Sequence, residues 1–127
     1  MNEHFMNGVN RARAQKHKDD TQTKEAARIL HDMGKEVRDF PDQHSRFIVD
    51  PRMTEVILRN DLDQMKYLIR IVAFPNEVRM FDTHENKDPL ITAQIDVQDE
   101  MIVFWERLGE EAYKLNAIPE KKLSFPV

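Results

Sequence analysis

Apolar residues recur at steps of four and three along residues 26–40, and this spacing predicts a helix. The stripe consists of Ala26, Leu30, Met33, Val37 and Phe40. Steps of this kind place side chains on one face of a helix that has 3.6 residues per turn. We predict that the helix begins near Thr21 or Thr23 and ends before Pro41, because proline is unfavourable in a helix interior.

Two Asp-Pro pairs, Asp50-Pro51 and Asp88-Pro89, predict the starts of two further helices. Aspartate accepts hydrogen bonds from the free N–H groups of a helix start, and proline at the first helical position loses no bond. After the second pair, apolar spacing of four and three predicts a helix that runs to about Leu115. The positions in this stripe are Leu90, Gln94, Val97, Met101, Phe104 and Leu108.

The last predicted helix is apolar over more than one face. We predict that Trp105 belongs to the core together with Phe104 and Met101. The residues that widen the stripe are Ile91, Ile95, Ile102 and Trp105. This width exceeds what one packed face needs, so we expect part of it to be a surface for an oligomer or another partner.

The predicted fold class is mainly α, with three long helices in a small bundle and extended N- and C-terminal arms. An alternative is an α+β fold with a small antiparallel sheet at residues 66–96. Residues 67–74 are rich in β-branched side chains, and they would pair as a strand with residues 78–81 and 90–95 after a turn at Pro75-Asn76. We favour the helical bundle because both Asp-Pro pairs and the apolar stripes agree with it.

The predicted organisation is one domain with two arms. A chain of 127 residues, 40% of them hydrophobic, buries one core. We predict a basic arm at residues 1–20, a single helical domain at 21–116 and an extended tail at 117–127. The tail has apolar residues at alternate positions, which suits addition to a sheet edge or a groove on a neighbour. The predicted partner-binding residues are Arg11, Arg13, Lys16 and Lys18 in the arm and Leu123, Phe125 and Val127 in the tail.

Composition and charge exclude several classes of function. The absence of cysteine excludes disulfides, thiolate chemistry and cysteine-ligated zinc. A net charge of -4 is too weak to indicate a DNA mimic or a generally basic nucleic-acid binder. The N-terminal sequence lacks the pattern of a cleavable signal, and no apolar run is long enough to cross a membrane. We therefore expect a location in the cytoplasm or within a virus particle.

One short motif indicates catalysis. The run Ala-Ala-Arg-Ile-Leu-His-Asp-Met-Gly-Lys at residues 26–35 resembles the signature of the HD superfamily of metal-dependent phosphohydrolases. The resemblance implies a nucleotide substrate and a divalent metal such as manganese or iron, which converts water to a nucleophilic hydroxide. It implies His4, His31 and Asp32 as ligands, His44 as an additional ligand and Lys35 as the catalytic residue. The family's later aspartate has several candidates here, from Asp61 to Asp99.

The leading functional hypothesis is a non-enzymatic structural subunit, without a cofactor, in a larger homo- or hetero-oligomeric assembly. A viral (phage) virion or accessory component is the predicted setting, by analogy with short chains that lack catalytic motifs. The first alternative is an HD-type phosphohydrolase. The second alternative is a small nucleic-acid-binding or regulatory protein that uses the basic arm to contact phosphates.

Overall fold

The computed structural model describes residues 2–40, 43, 45–62, 67–82 and 88–117, which form two helices and five strands. In chain order these are α1 (Glu3–Arg38), β1 (Phe47–Pro51), β2 (Glu55–Asn60), β3 (Leu68–Phe74), β4 (Glu77–Asp82), β5 (Ile91–Gln94) and α2 (Gln98–Asn116). The predicted three-helix bundle is therefore wrong. The fold is α+β, and the alternative with an antiparallel sheet fits it, although the sheet extends well beyond residues 66–96.

The five strands form one antiparallel sheet in the order β1-β2-β3-β4-β5, with each strand beside the next along the chain. Val56 pairs with Ile71, and Ile71 pairs with Met80, so these three residues point to the same face. The turn between β3 and β4 lies at Pro75-Asn76, as the alternative predicted, and Asn76 has a positive φ of 57° that asparagine tolerates well.

Both helices pack on one face of this sheet and share one hydrophobic core. Gly34 of α1 lies against Val56, whereas Asn60, on the same side of β2, donates a hydrogen bond to the Leu115 carbonyl of α2 (2.8 Å). The side chains with no more than 1% exposure include Leu30, Met33, Leu58, Ile69, Ile71, Met80, Phe104, Leu108 and Leu115. The core is thus a sandwich of two helices against five strands.

Neither Asp-Pro pair starts a helix. Asp50 and Pro51 end β1, which is an edge strand, and an edge strand tolerates the missing proline N–H. The Asp50 carboxylate forms ion pairs with Arg52 (3.2 Å) and Arg59 (3.6 Å) instead of capping a helix. Asp88-Pro89 precedes β5, and α2 begins later, at Gln98. Strand pairing outweighs the local capping preference at Asp50-Pro51, and the residues that follow Asp88-Pro89 pair as β5 instead of starting a helix.

The C-terminal end of α2 is held by buried polar contacts. Asn60 is 2% exposed and joins the Leu115 carbonyl, one of the carbonyls that a helix end leaves unpaired. Glu111 is also buried, and Arg107 (3.0 Å) and Lys114 (3.6 Å) neutralise its carboxylate. Burial raises the pKa of Tyr67, and the nearby Glu111 carboxylate raises it further, so this phenol stays protonated at neutral pH.

Helix α1 is continuous across the predicted domain boundary at residue 20. Residues 3–20 of the predicted basic arm are therefore helical, and they belong to the same element as the core residues that follow. The tail at 118–127 lies outside the described residues. No helix in the described part of the chain combines the length and apolar character that a bilayer crossing requires.

Candidate functional site

The His-Asp motif lies where α1 crosses the sheet, and its residues divide between two helix faces. Met33 and Gly34 are buried against the sheet, whereas Asp32 and Lys35 are exposed and His31 is half-buried. The His31 Nε2 forms a hydrogen bond with the Arg52 carbonyl oxygen. Because a carbonyl only accepts, Nε2 carries the proton. Only Nδ1 of this ring therefore has a lone pair for a metal.

The structure does not bring the implied metal ligands together. His4 and His31 lie on one continuous helix, 27 residues apart, which is ~40 Å at 1.5 Å per residue. One metal ion of a single chain therefore cannot bind both rings. His44 lies outside the described residues, and within the described ones no group of three or more His, Cys, Asp or Glu side chains has metal-binding geometry.

The contact between His31 and Arg52 predicts different consequences for the two motif residues. We expect His31→Ala to lower the free energy of unfolding by about 1 kcal/mol, because it removes a hydrogen bond between α1 and the loop after β1. Asp32→Ala is the matched control, since this exposed side chain has no such contact in the described structure, and it should change stability by less than about 0.5 kcal/mol.

Denaturant unfolding measures both variants, and elemental analysis of the same preparations measures bound metal. Stoichiometric manganese or iron in the parent protein that is lost equally in His31→Ala and Asp32→Ala would contradict the structural interpretation and favour the phosphohydrolase.

The predicted basic residues of the arm lie on two sides of α1. Arg11 and Lys18 are seven residues apart and share one face, whereas Arg13 and Lys16 lie on the opposite side. Lys16 pairs with Asp20 at 2.8 Å, which raises the pKa of Lys16 and lowers that of Asp20. A single basic stripe, which a nucleic-acid groove would favour, is not formed by these four residues.

Residues 3–25 of α1, here named the exposed segment, include no buried residue, and all of them lie in the described structure. The Asn2 side chain caps the helix by accepting hydrogen bonds from the His4 and Phe5 N–H groups. Phe5, Val9 and Ala12 lie on the face that continues the buried stripe of residues 26–37. The side chain of Phe5 is 64% exposed. An apolar helix face is therefore left open beyond the sheet.

The second apolar feature is a cleft between the end of α1 and the middle of α2, here named the α1–α2 cleft. It has a volume of about 140 Å³. Its lining consists of Glu36, Val37, Phe40, Trp105, Leu108, Gly109 and Ala112. Glu36 is the one charged residue among them, so the interior is almost entirely apolar.

Helix α2 carries most of the exposed large apolar side chains of the described structure. These are Ile102, Val103, Trp105 and Tyr113, against Phe5 and Met53 elsewhere. Ile102, Trp105, Gly109 and Tyr113 follow one another at helical spacing, and Trp105 and Gly109 also line the cleft. The unusual width of the apolar stripe in the sequence was the signal for this surface, but the sequence did not separate core from surface within it.

Acidic side chains lie beside the cleft on α1. Asp32, Glu36 and Asp39 lie together on the outer side of α1, around a shallow polar hollow that also includes Lys35. The α1 rim of the cleft therefore carries more negative than positive charge beside an apolar floor.

The other face of the sheet has no helix against it in the described structure. Arg59, Arg70 and Arg79 lie on this face. Arg70 stacks over Phe81 (5.5 Å to the ring centre) and Arg79 over Phe74 (4.0 Å). Each arginine on this face also pairs with a carboxylate; for example, Arg70 pairs with Glu55 at 3.5 Å. These contacts neutralise the face and shield its apolar residues, with Ile57 only 8% exposed.

No protein-family model, curated protein or solved structure matches the chain. The described residues themselves offer two open apolar surfaces, the exposed segment of α1 and the α1–α2 cleft. Surfaces of this kind bind other polypeptide segments by burying apolar area.

Proposed function

We propose that this chain is a non-enzymatic interaction subunit of a larger protein assembly, in which the exposed segment of α1 contacts a neighbouring subunit. The length of α1 carries the proposal. A helix of 36 residues is about 54 Å long. Its buried residues begin only at Ala26, so more than half of the helix buries no side chain completely within the described chain.

Helix energetics support this interpretation. Most helical stability in proteins comes from tertiary packing of an apolar face and not from helix propensity. The exposed segment extends from a turn that the core already holds, and its local support is the Asn2 cap and pairs such as Lys16–Asp20. Such solvent-exposed interactions stabilise a helix only weakly. A neighbour that buries Phe5 and Val9 would supply the missing packing.

The chemistry of the segment indicates a protein partner. Phe5, Val9 and Ala12 are apolar, and the same face continues with Lys16 and Asp19, which carry opposite charges. A mixed surface of this kind matches another protein surface better than the uniformly negative backbone of a nucleic acid. Another copy of the chain is the simplest neighbour, because homo-oligomers are the commonest assemblies.

Sedimentation of the purified chain over a range of concentrations tests the proposal. We expect self-association, and we expect the double variant Phe5→Ser with Val9→Ser to weaken it by about tenfold or more, because burial of each side chain is worth roughly 1.5–3 kcal/mol. The control is Asn10→Ser with Ala14→Ser, on the opposite side of the same helix, which should associate like the parent.

Amide hydrogen exchange provides a second measurement. Residues 3–20 should gain protection as association proceeds, while residues 26–37 are protected throughout. A chain that stays monomeric at every concentration, with fast exchange along residues 3–20, would contradict self-association through this segment.

The proposed setting of the assembly is a virus particle, and that part rests on analogy with short, cysteine-free virion components. The tail residues Leu123, Phe125 and Val127 lie outside the described residues, and their contact with a partner stays a prediction.

A further inference from the structure

We propose that residues 119–127 fold back onto their own chain and that Phe125 occupies the α1–α2 cleft. The inference concerns a single chain, so it goes beyond the proposed assembly function and does not depend on it. Three properties support it: the size of the cleft, the charge around it and the length of the segment that follows α2.

The cleft has the size and lining of a site for one aromatic ring. Its volume is about 140 Å³, and Val37, Phe40, Trp105 and Leu108 contribute to its walls. An apolar cavity of roughly 150 Å³ is large enough to bind benzene. The phenyl group of Phe125 therefore matches the space.

The charges of the segment and of the cleft rim are complementary. Lys121 and Lys122 precede the apolar residues of the tail. Glu36 lies in the wall of the cleft, and Asp32 and Asp39 lie beside it on α1. A segment that placed Phe125 in the cleft would bring its two lysines close to this acidic rim, where attraction between opposite charges favours binding.

The chain is long enough for the segment to reach its own cleft. Ala117 follows α2, and Trp105 lies twelve residues earlier, which is about 18 Å along the helix. The eight residues from 118 to 125 span up to ~26 Å when extended. A short tether gives an effective concentration in the millimolar range. Binding within one chain therefore prevails over binding between chains at lower protein concentrations.

Gly109 fits this arrangement. A Cβ atom at Gly109 would have no described neighbour within 4 Å, so packing inside the described chain does not require glycine there. Glycine is nevertheless unfavourable in a helix interior. A missing side chain beside Trp105 leaves room for a docked segment to approach the backbone of α2.

Trp105 is the single tryptophan of the chain and reports directly on the cleft. The experiment compares acrylamide quenching of Trp105 fluorescence in the full-length chain and in Phe125→Ser at micromolar concentration. We expect the variant to raise the quenching constant about twofold, because a docked ring shields roughly half of the remaining indole surface. The control is Met53→Ser, an equally drastic change at a side chain that is 87% exposed and does not line the cleft, which should leave quenching unchanged.

A charge exchange tests the role of the rim. Lys121→Glu with Lys122→Glu should increase quenching, and Glu36→Lys in that background should restore part of the protection. High salt should reduce both effects, because exposed charges are screened. Circular dichroism of each variant checks that the fold is intact.

Two results would overturn the proposal. Equal quenching in the parent and in Phe125→Ser would show that the ring does not fill the cleft. Quenching in the parent that decreases as protein concentration rises from low to high micromolar would assign the occupant to a second copy instead. Self-association through Phe5 and Val9 is measured separately, by sedimentation. The proposal of self-association and the proposal that Phe125 docks in the cleft can therefore be contradicted independently of each other.

Discussion

Gly34→Leu is expected to lower the free energy of unfolding by about 3 kcal/mol, because α1 lies directly against the sheet at this glycine. A Cβ atom there would lie 3.3 Å from one methyl carbon of Val56 and 3.7 Å from a methyl carbon of Val49. The further carbons of leucine have no space, so the helix must move away from β1 and β2. Chemical denaturation followed by circular dichroism measures the loss.

The same substitution at Gly109 is the control. A Cβ atom at Gly109 meets no described atom within 4 Å, so Gly109→Leu should leave stability unchanged or raise it by about 0.5–1 kcal/mol through helix propensity. A Gly34→Leu variant that is as stable as Gly109→Leu would mean that α1 does not pack against the sheet at Gly34. The expected contrast also gives the glycine of the His-Asp-Met-Gly-Lys run a packing role that requires no catalysis.

Phe104→Ala should cost about 3–5 kcal/mol, the usual range for a fully buried phenylalanine. Phe104 has 0% exposure and anchors α2 in the core. Its neighbour Trp105 is 37% exposed and lines the α1–α2 cleft. We expect Trp105→Ala to cost less, about 2 kcal/mol, since 37% of the residue is already in contact with water.

Thermal and denaturant unfolding of the two variants, measured under the same conditions, test this difference. A cost for Trp105→Ala that equals the cost for Phe104→Ala would place the indole in the core and remove the basis for a cleft between the helices. The boundary between the core and the exposed surface of α2 therefore lies between Phe104 and Trp105.

The sequence pattern located the ends of the two helices but not their starts, since α1 begins at Glu3 instead of near Thr21 or Thr23 and α2 begins at Gln98 instead of at Asp88-Pro89. The stripe from Ala26 to Val37 is buried, and α1 ends at Arg38, just before Pro41. The predicted last helix ends where α2 ends, within one residue of Leu115. Helical periodicity is readable here because each helix has one face against the sheet and other faces in water.

The prediction of a helix was wrong at β1 and β2, and the packing of these strands gives the reason. Val56, Ile57 and Leu58 are all buried, although Ile57 points away from the helices, where arginine side chains shield it. A strand that is covered on both faces loses the alternation that identifies strands in a sequence. The Asp50-Pro51 pair then suggested a helix start at a position that is in fact the end of an edge strand.

The candidate site was less predictable than the fold. The His31-Asp32 pair indicated a metal site, because adjacent histidine and aspartate side chains can bind a divalent metal. The implied third ligand, His4, lies ~40 Å away along the same helix. The α1–α2 cleft combines residues that are far apart in sequence, such as Val37 and Trp105. No local motif marks such a site, because its walls come from two elements.

The sequence alone determined the extent of the buried stripe of α1, the end of α2 and the absence of cysteine chemistry, whereas the turn at Pro75-Asn76 belonged only to the alternative prediction. These properties depend on composition, or on the spacing and turn preference of residues that are close together in the sequence. The tertiary structure decided that residues 47–60 form strands, that Phe104 is core while Trp105 lines a cleft, and that residues 3–25 are helical without a buried face. Those outcomes depend on which surfaces meet in space, and burial against a distant element outweighs local preference.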